Sequence, residues 1–302
     1  MRISKFKRIK LFFPQWKTFG FSIAFWGVLW LKYRNHNLII SYLYKNFKEI
    51  IDKYAKITPE KLSPIPAESA VWVCWWQGEE TMPKIVKACF ASVKRHSGTH
   101  PVILITKDNV NNYIAIPSHI MKKVDERKIS ITHLSDIIRM LLLAKHGGLW
   151  LDATVFVTGE INFTNLPFFT VRRDLGSVYV SKQRWHMNCM GGTSKIYLFD
   201  FINDFFSEYW KKYDLLIDYF LIDYTIVLAY NFIPYIKEII DNVPLNNKNY
   251  QLMIKFLDKE FNQDSYNEIT KDTIFHKLKH DLKIKNNNKF TFYEYILSKY
   301  NE

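Results

Sequence analysis

Two acids, one guanidinium and one hydroxyl are spaced so that they could bind a polar ligand together. The segment runs Ser135-Asp136-Ile137-Ile138-Arg139, then seven residues, then Gly147-Gly148-Leu149-Trp150-Leu151-Asp152-Ala153-Thr154-Val155. Asp136 and Arg139 stand three apart on what reads as a helix, so both project from one face. Asp152 and Thr154 stand two apart on what reads as a strand, so both project to one side. The Gly147-Gly148 turn sets helix and strand side by side. Acid, base, second acid and hydroxyl then converge at the strand's carboxyl end, where open α/β sheets bind ligands. Singly, each residue has an ordinary structural account: opposite charges at this helical spacing are usually a solvated ion pair, and a strand Asp can cap a turn. Together they weaken that account. Asp152 interrupts an apolar strand, where an unpaired carboxylate is costly, so it needs a partner; Arg139 or a metal ion would serve.

The elements that must position these groups can be read outward. From Leu134 to Lys145, Ile137, Ile138, Leu141, Leu142 and Ala144 follow helical spacing. Ser135 is placed to cap that helix and Gly147-Gly148 to stop it. Leu149 to Val157 reads as one buried strand. Upstream, Val71-Trp72-Val73-Cys74-Trp75-Trp76 is an apolar run rich in β-formers, broken by Gln77, Gly78 and Glu79. Thr81 is expected to cap the next helix, with Pro83 in its first turn and an apolar stripe of Ile85, Val86, Cys89, Phe90 and Val93. Val102-Ile103-Leu104-Ile105 follows as a second strand. Strand, helix, strand within so short a span predicts a βαβ unit and a parallel sheet. The chain contains neither G-x-G-x-x-G nor G-x-x-x-x-G-K-[ST], so the first turn offers neither common glycine-rich phosphate cradle. A bound diphosphate would have to be held by a metal ion or by basic side chains. Tyr197 to Tyr235 reads as helical and aromatic, and the tail from about Leu245 is rich in Asn and Lys.

Composition bounds the rest. The chain has 302 residues, 17% of them aromatic, and a net charge of +13. That charge fits nucleic acid, anionic lipid or a phosphate-bearing substrate. No nucleic-acid-binding motif is visible, and no nucleic-acid partner is expected. Cys74, Cys89 and Cys189 lack C-x-x-C spacing, which argues against a disulfide framework or a zinc site and fits a reducing cytoplasm. Residues 1 to about 66 read as helical and amphipathic, ending in the proline-bearing stretch from Thr58 to Pro66, the best linker candidate. Within them, Phe19 to Leu31 is uncharged but too short to span a bilayer. Basic residues (Arg2, Lys5, Lys7, Arg8, Lys10 and Lys17 before, Lys32 and Arg34 after) and Trp16, Trp26, Trp30 and Tyr33 flank or punctuate it. Two readings stand: an interfacial helix on an anionic membrane face, or a core-packing helix with a basic outer side.

The pattern S-D-x-x-R, a short helix, then G-G-x-W-x-D-A-T resembles the sugar-binding DXD region of glycosyltransferase family 32, and most closely its capsular polysaccharide synthesis branch. Val71 to Gly78, Asp218-Tyr219-Phe220-Leu221-Ile222-Asp223-Tyr224 and Phe275-His276-Lys277-Leu278 also look like that branch, so the resemblance covers roughly residues 70 to 280. It implies a GT-A-like, Rossmann-type α/β fold with a mixed, mainly parallel sheet; with the composition, this domain is expected over 67–302, behind a helical, basic and aromatic membrane-associating segment over 1–66. It implies a retaining glycosyltransferase that moves a sugar from a nucleoside-diphosphate donor, a UDP-sugar first, to a glycan acceptor in capsular or other surface polysaccharide synthesis.

By the same resemblance, Asp136 and Arg139 hydrogen-bond the donor sugar, and Asp152 lies beside ribose, sugar and metal. Trp75 or Trp76, followed by Gln77, sits near the base, where ring stacking suits uracil. Asn188 falls near the donor sugar, and His276 and Lys277 near the diphosphate. Asp152 and His276 are the expected ligands of Mn²⁺ or Mg²⁺, and Asp152 with Asp223 the expected catalytic carboxylates, Asp223 on the acceptor side. One departure matters. The second Asp of a full DXD motif is Thr154 here, a much weaker ligand for a hard cation. Either Asp152, diphosphate and water hold the metal, or Lys277 and Arg139 replace part of its charge. The expected location is the cytoplasmic face of the plasma membrane, with a lipid-linked glycan as the acceptor. A transferase of proteins or soluble glycans, and a non-enzymatic basic membrane-binding protein, are the alternatives.

Overall fold

In the computed structural model, which describes residues 5–29, 32–173, 179–281 and 289–300, a five-stranded sheet in the order β2-β1-β3-β6-β5 organises the chain. The β-branched and aromatic run at Val71–Cys74 forms β1, with Val102–Ile105 (β2) parallel on one edge. On the other edge lies Gly148–Asp152 (β3), also parallel, with Cys74 opposite Asp152. Cys189–Gly192 (β6) runs antiparallel to β3, and Phe168–Thr170 (β5) antiparallel to β6. Val155–Val157 (β4) and Phe275–Lys277 (β7) form a separate antiparallel pair.

The helices are Lys5–Phe19 (α1), Phe21–Leu29 (α2), Lys32–Ala55 (α3), Lys84–His96 (α4), Ser118–Asp125 (α5), Ile131–His146 (α6), Tyr197–Lys212 (α7), Leu221–Phe232 (α8), Pro234–Asp241 (α9), Gln263–Thr270 (α10) and Phe292–Tyr300 (α11). The βαβ unit expected from the sequence is β1–α4–β2. Alternation along the strands splits the core into two layers. Trp72 and Trp150 face α3, α6, α7 and α8. Val71, Val73, Leu149 and Leu151 face α4, the β4–β7 pair and α11.

Three local expectations change. First, α6 starts earlier, because Ser130, not Ser135, is the cap: its hydroxyl accepts from the His133 backbone N–H at 3.2 Å. The Ser135 hydroxyl instead donates back to the Thr132 carbonyl at 2.6 Å. Second, Thr81 does not cap α4, which follows Pro83; its hydroxyl takes the Trp75 indole N–H at 2.9 Å and binds the Gly78 carbonyl. Third, Leu149 to Val157 is two strands, with Ala153-Thr154 as a turn that carries the chain from the main sheet to the small one.

The stop at Gly147-Gly148 stands, and its cause is close packing. Both glycines have positive φ, 66° and 98°, and a Cβ on Gly148 would lie 2.3 Å from the Ala70 carbonyl oxygen. Only glycine tolerates both demands.

The N-terminal helices do not pack on their own. Phe19, Ile23, Ile39, Leu43, Phe47, Ile51 and Tyr54 belong to the same apolar cluster as α6, α7 and α8. The stretch at 58–66 therefore joins parts of one core; Ile65 is buried and its N–H reaches the Leu166 carbonyl at 3.1 Å.

Candidate functional site

The site lies where β3 leaves the main sheet. Asp152 is its last residue and follows Trp150 on the same side, toward α6. Arg139 comes from the buried face of α6 and is 3% exposed. One guanidinium nitrogen donates to Asp136 Oδ1 at 3.0 Å, and the other to Asp152 Oδ1 at 2.9 Å. Trp150 Nε1–H donates to the same oxygen at 2.9 Å, and the guanidinium lies over the Trp150 ring, 4.9 Å from its centroid. A fork shared by two carboxylates and stacked on a ring fixes Arg139 in one position.

The other Asp152 oxygen belongs to the second layer. Lys277, from β7, places Nζ 3.0 Å from Asp152 Oδ2 and also donates to Thr154 Oγ1. Thr154 is held here by its carbonyl, which accepts the Leu278 N–H at 2.8 Å. Burial alone would raise the Asp152 carboxyl, but Lys277, then Arg139, and the Trp150 N–H outweigh it and hold the group well below the usual carboxylate range. Asp152 is therefore a firmly ionised acid with 28% of its side chain open to solvent.

The remaining candidates fall around this centre. Trp75, Trp76 and Gln77 form the loop beyond β1, next to Asp152 across the sheet. The Trp75 ring meets His280 edge-on at 6.0 Å, Trp76 packs against the helical layer, and Gln77 is exposed. Asn188 accepts the Asp152 N–H on its carbonyl at 3.0 Å and the Tyr250 hydroxyl on Oδ1 at 2.6 Å. Its side-chain NH₂ has no partner among the described residues. Asp223 sits in the first turn of α8, with Oδ1 taking the Trp185 indole N–H at 2.9 Å and Oδ2 without a partner among the described residues. Burial, with Asp136 adding, outweighs the Trp185 N–H and Arg139 and pushes its carboxyl up to about 7. Burial likewise raises Asp218 to about 6.

His276 is corrected. Lys277 points toward Asp152, so its strand neighbour points the other way. The His276 ring is fully buried, with Nε2 3.2 Å from Thr158 Oγ1 and Nδ1 without a partner among the described residues. Burial drops it to about 3, so it stays neutral, but it is not brought to Asp152.

The residues at the centre do not fit a divalent cation. Both Asp152 oxygens already carry cationic partners, the second position of the motif is a hydroxyl, and the ammonium of Lys277 stands between the two. Among the described residues no group of three His, Cys, Asp or Glu side chains could hold a metal. A dication about 4 Å from that ammonium would meet a repulsion of about 8 kcal/mol at an effective dielectric of 20.

Sequence reading missed some supports. Trp210 Nε1–H donates to His133 Nε2 at 3.0 Å, which leaves the His133 Nδ1 proton facing Asp136 Oδ2 at 3.4 Å. His133 precedes Asp136 by one helical step, the same spacing that tied Asp136 to Arg139, and could have been found. Trp185 and Tyr250 carry no such signal; only folding brings them to Asp223 and Asn188.

Fold and site together define a mixed α/β protein with an ion-paired, partly open polar site at the carboxyl edge of a mainly parallel sheet. The model of the capsular polysaccharide synthesis protein family matches residues 30–296, and the chain belongs to that family. The match crosses the stretch at 58–66, in keeping with the shared core. No curated protein matches this chain. Family membership is consistent with a transferase.

Proposed function

We propose that this protein is a retaining, GT-A-type glycosyltransferase that moves a sugar from a nucleoside-diphosphate donor, UDP-linked first, to a glycan acceptor in capsule synthesis. The observation that carries the reading is the Asp136–Arg139–Asp152–Lys277 network: a rigid pair of carboxylates for sugar and ribose hydroxyls, next to cationic groups for a diphosphate, in a member of a capsule-synthesis family. Trp75 or Trp76 stacks on the base, Gln77 lies beside it, and the NH₂ of Asn188 reaches a donor-sugar hydroxyl. As the bond from the anomeric carbon to the diphosphate oxygen breaks, the bonding pair leaves with the diphosphate. The sugar gains oxocarbenium character, and fixed cations stabilise the charge on the leaving group. The acceptor hydroxyl attacks from the same face, and its proton goes to the departing phosphate or to Asp223. A carboxyl titrating near neutrality, with one oxygen unpartnered among the described residues, suits the acceptor side.

The same reading places the protein on the inner face of the plasma membrane, near a lipid-linked acceptor. Phe12, Phe13, Trp16, Phe21 and Phe25 form a run of ring contacts along α1 and α2, with Phe13 63% and Phe21 52% exposed. No helix of the described residues is long and apolar enough to cross a membrane, so exposed aromatics among basic residues support an interfacial seat.

The test is hydrolysis of a panel of nucleotide sugars by purified protein, with the product anomer read by NMR. One donor should be cleaved slowly with retained configuration, and the activity lost in Asp152→Ala. If no donor is cleaved with acceptor glycans present, and none shifts the melting temperature, the reading fails.

A further inference from the structure

The Lys277 ammonium lies between the two motif positions, bonded to both Asp152 and Thr154. We infer that Lys277 is a built-in cation that takes the place of a divalent metal at the diphosphate, so that donor binding does not depend on metal. This inference rests on the donor reading above and names how that same site meets phosphate.

Charge conservation argues for it. A motif with two carboxylates and a dication carries no net charge before the diphosphate arrives. Here a hydroxyl stands at the second position and a single ammonium bonds both residues, so Asp152 and Lys277 again sum to zero. Thr154 in place of a second carboxylate and Lys277 in place of a dication thus balance each other's charge. Geometry agrees. Lys277 Nζ is bound to Asp152 Oδ2 at 3.0 Å and to Thr154 Oγ1, which uses two of the three ammonium protons. The third is left for a phosphate oxygen, and the side chain is 22% exposed, so a ligand can reach it. The position is also rigid. The Lys277 N–H is fixed to the Tyr250 carbonyl at 2.7 Å and its strand is paired with β4, so the charge is preorganised where a metal would otherwise have to be captured. His276, the neighbouring histidine expected as a metal ligand, is turned into the core on the opposite side of β7. No covalent bond to Lys277 forms or breaks.

The test is calorimetric titration of UDP, and of GDP in parallel, into the chelator-treated 302-residue chain, with and without added Mn²⁺. Wild type should bind one of them with the same Kd, within about twofold, in both conditions. Lys277→Ala should weaken binding by about tenfold or more in both. The double variant Thr154→Asp, Lys277→Ala restores the second carboxylate and removes the ammonium, so it should recover affinity only when Mn²⁺ is present. Circular dichroism keeps unfolding separate from loss of binding. The inference is overturned if wild type needs Mn²⁺ for binding, or if folded Lys277→Ala binds as wild type does. If folded wild type binds neither nucleotide in either condition, the donor reading fails and takes this inference with it. That pattern differs from metal-dependent binding, which sinks the inference and leaves the donor reading standing.

Discussion

Replacing Asp152 with Asn keeps the shape of the side chain and removes the charge shared by two cations. The amide can still accept the Trp150 N–H on its oxygen, but its NH₂ would face either Arg139 or Lys277. Removing one partner of a fully buried pair costs about 3–5 kcal/mol. Here the loss is smaller for two reasons. Arg139, 3% exposed, keeps Asp136 at 3.0 Å. Lys277 and Asp152 are 22% and 28% exposed, so solvent can compensate part of the ammonium. About 2 kcal/mol is the expected cost at pH 7, or roughly 4 °C in melting temperature for a chain of this size. The pH dependence follows from sign. The Asp152 carboxyl is depressed in the folded state, so its contribution is full above the unfolded carboxylate value, near pH 3.9, and declines as pH falls below it. At about pH 3 wild type has lost about 1.3 kcal/mol that Asp152→Asn never had, so the gap should halve or more. Thermal unfolding followed by circular dichroism at pH 7, 5 and 3 measures this. A variant as stable as wild type at pH 7, or a gap that stays constant down to pH 3, would refute the account of Asp152 as a stabilising, ion-paired acid.

Asp223 should behave in the opposite sense. Its carboxyl is raised to about 7, so the stability it permits is full below about pH 4 and lost as pH rises through 7. Asp223→Asn should match wild type near pH 4 and be more stable at pH 8, while sugar transfer loses a rise in rate centred near pH 7. Melting curves and rate–pH profiles on the same samples check both. Gly148→Ala should cost about 2–4 kcal/mol, through the Ala70 carbonyl 2.3 Å from the new Cβ and a φ of 98°; melting temperature and soluble yield report it. Changing Phe13, Trp16, Phe21 and Phe25 together to Ser should abolish pelleting with anionic vesicles and leave the melting temperature within about 2 °C. Deleting the helices instead would expose core, since Phe19 and Ile23 are buried. Pelleting unchanged in the quadruple variant would remove the membrane seat.

Much of the site was legible from residue types alone. Spacing put Asp136 beside Arg139, and an acid ending an apolar strand demanded a partner, because burial of an unpaired carboxylate is too costly to stand without a purpose. The parallel β1–α4–β2 unit was equally plain, since apolar periodicity and strand length are local properties. Less local matters misled. The cap of α6 lay five residues upstream of Ser135, because Ser130 and Ser135 are chemically alike and only backbone geometry at the helix entry selects between them.

The sequence by itself determined that two acids and an arginine would meet at the carboxyl end of β3, because short-range spacing and the glycine turn leave them little choice; Thr154 joins them from a turn, through Lys277, and not from the strand face its spacing predicted. The tertiary structure alone decided which cation sits on the far side of Asp152. Lys277 and His276 are adjacent in the chain and both were reasonable partners. The pleat of β7, set by its pairing with β4, turns one toward the site and the other into the core. The same long-range packing carried the N-terminal helices into the core with α7 and α8, because the burial of Phe47 or Ile51 depends on which distant surface remains uncovered, and no local pattern encodes that.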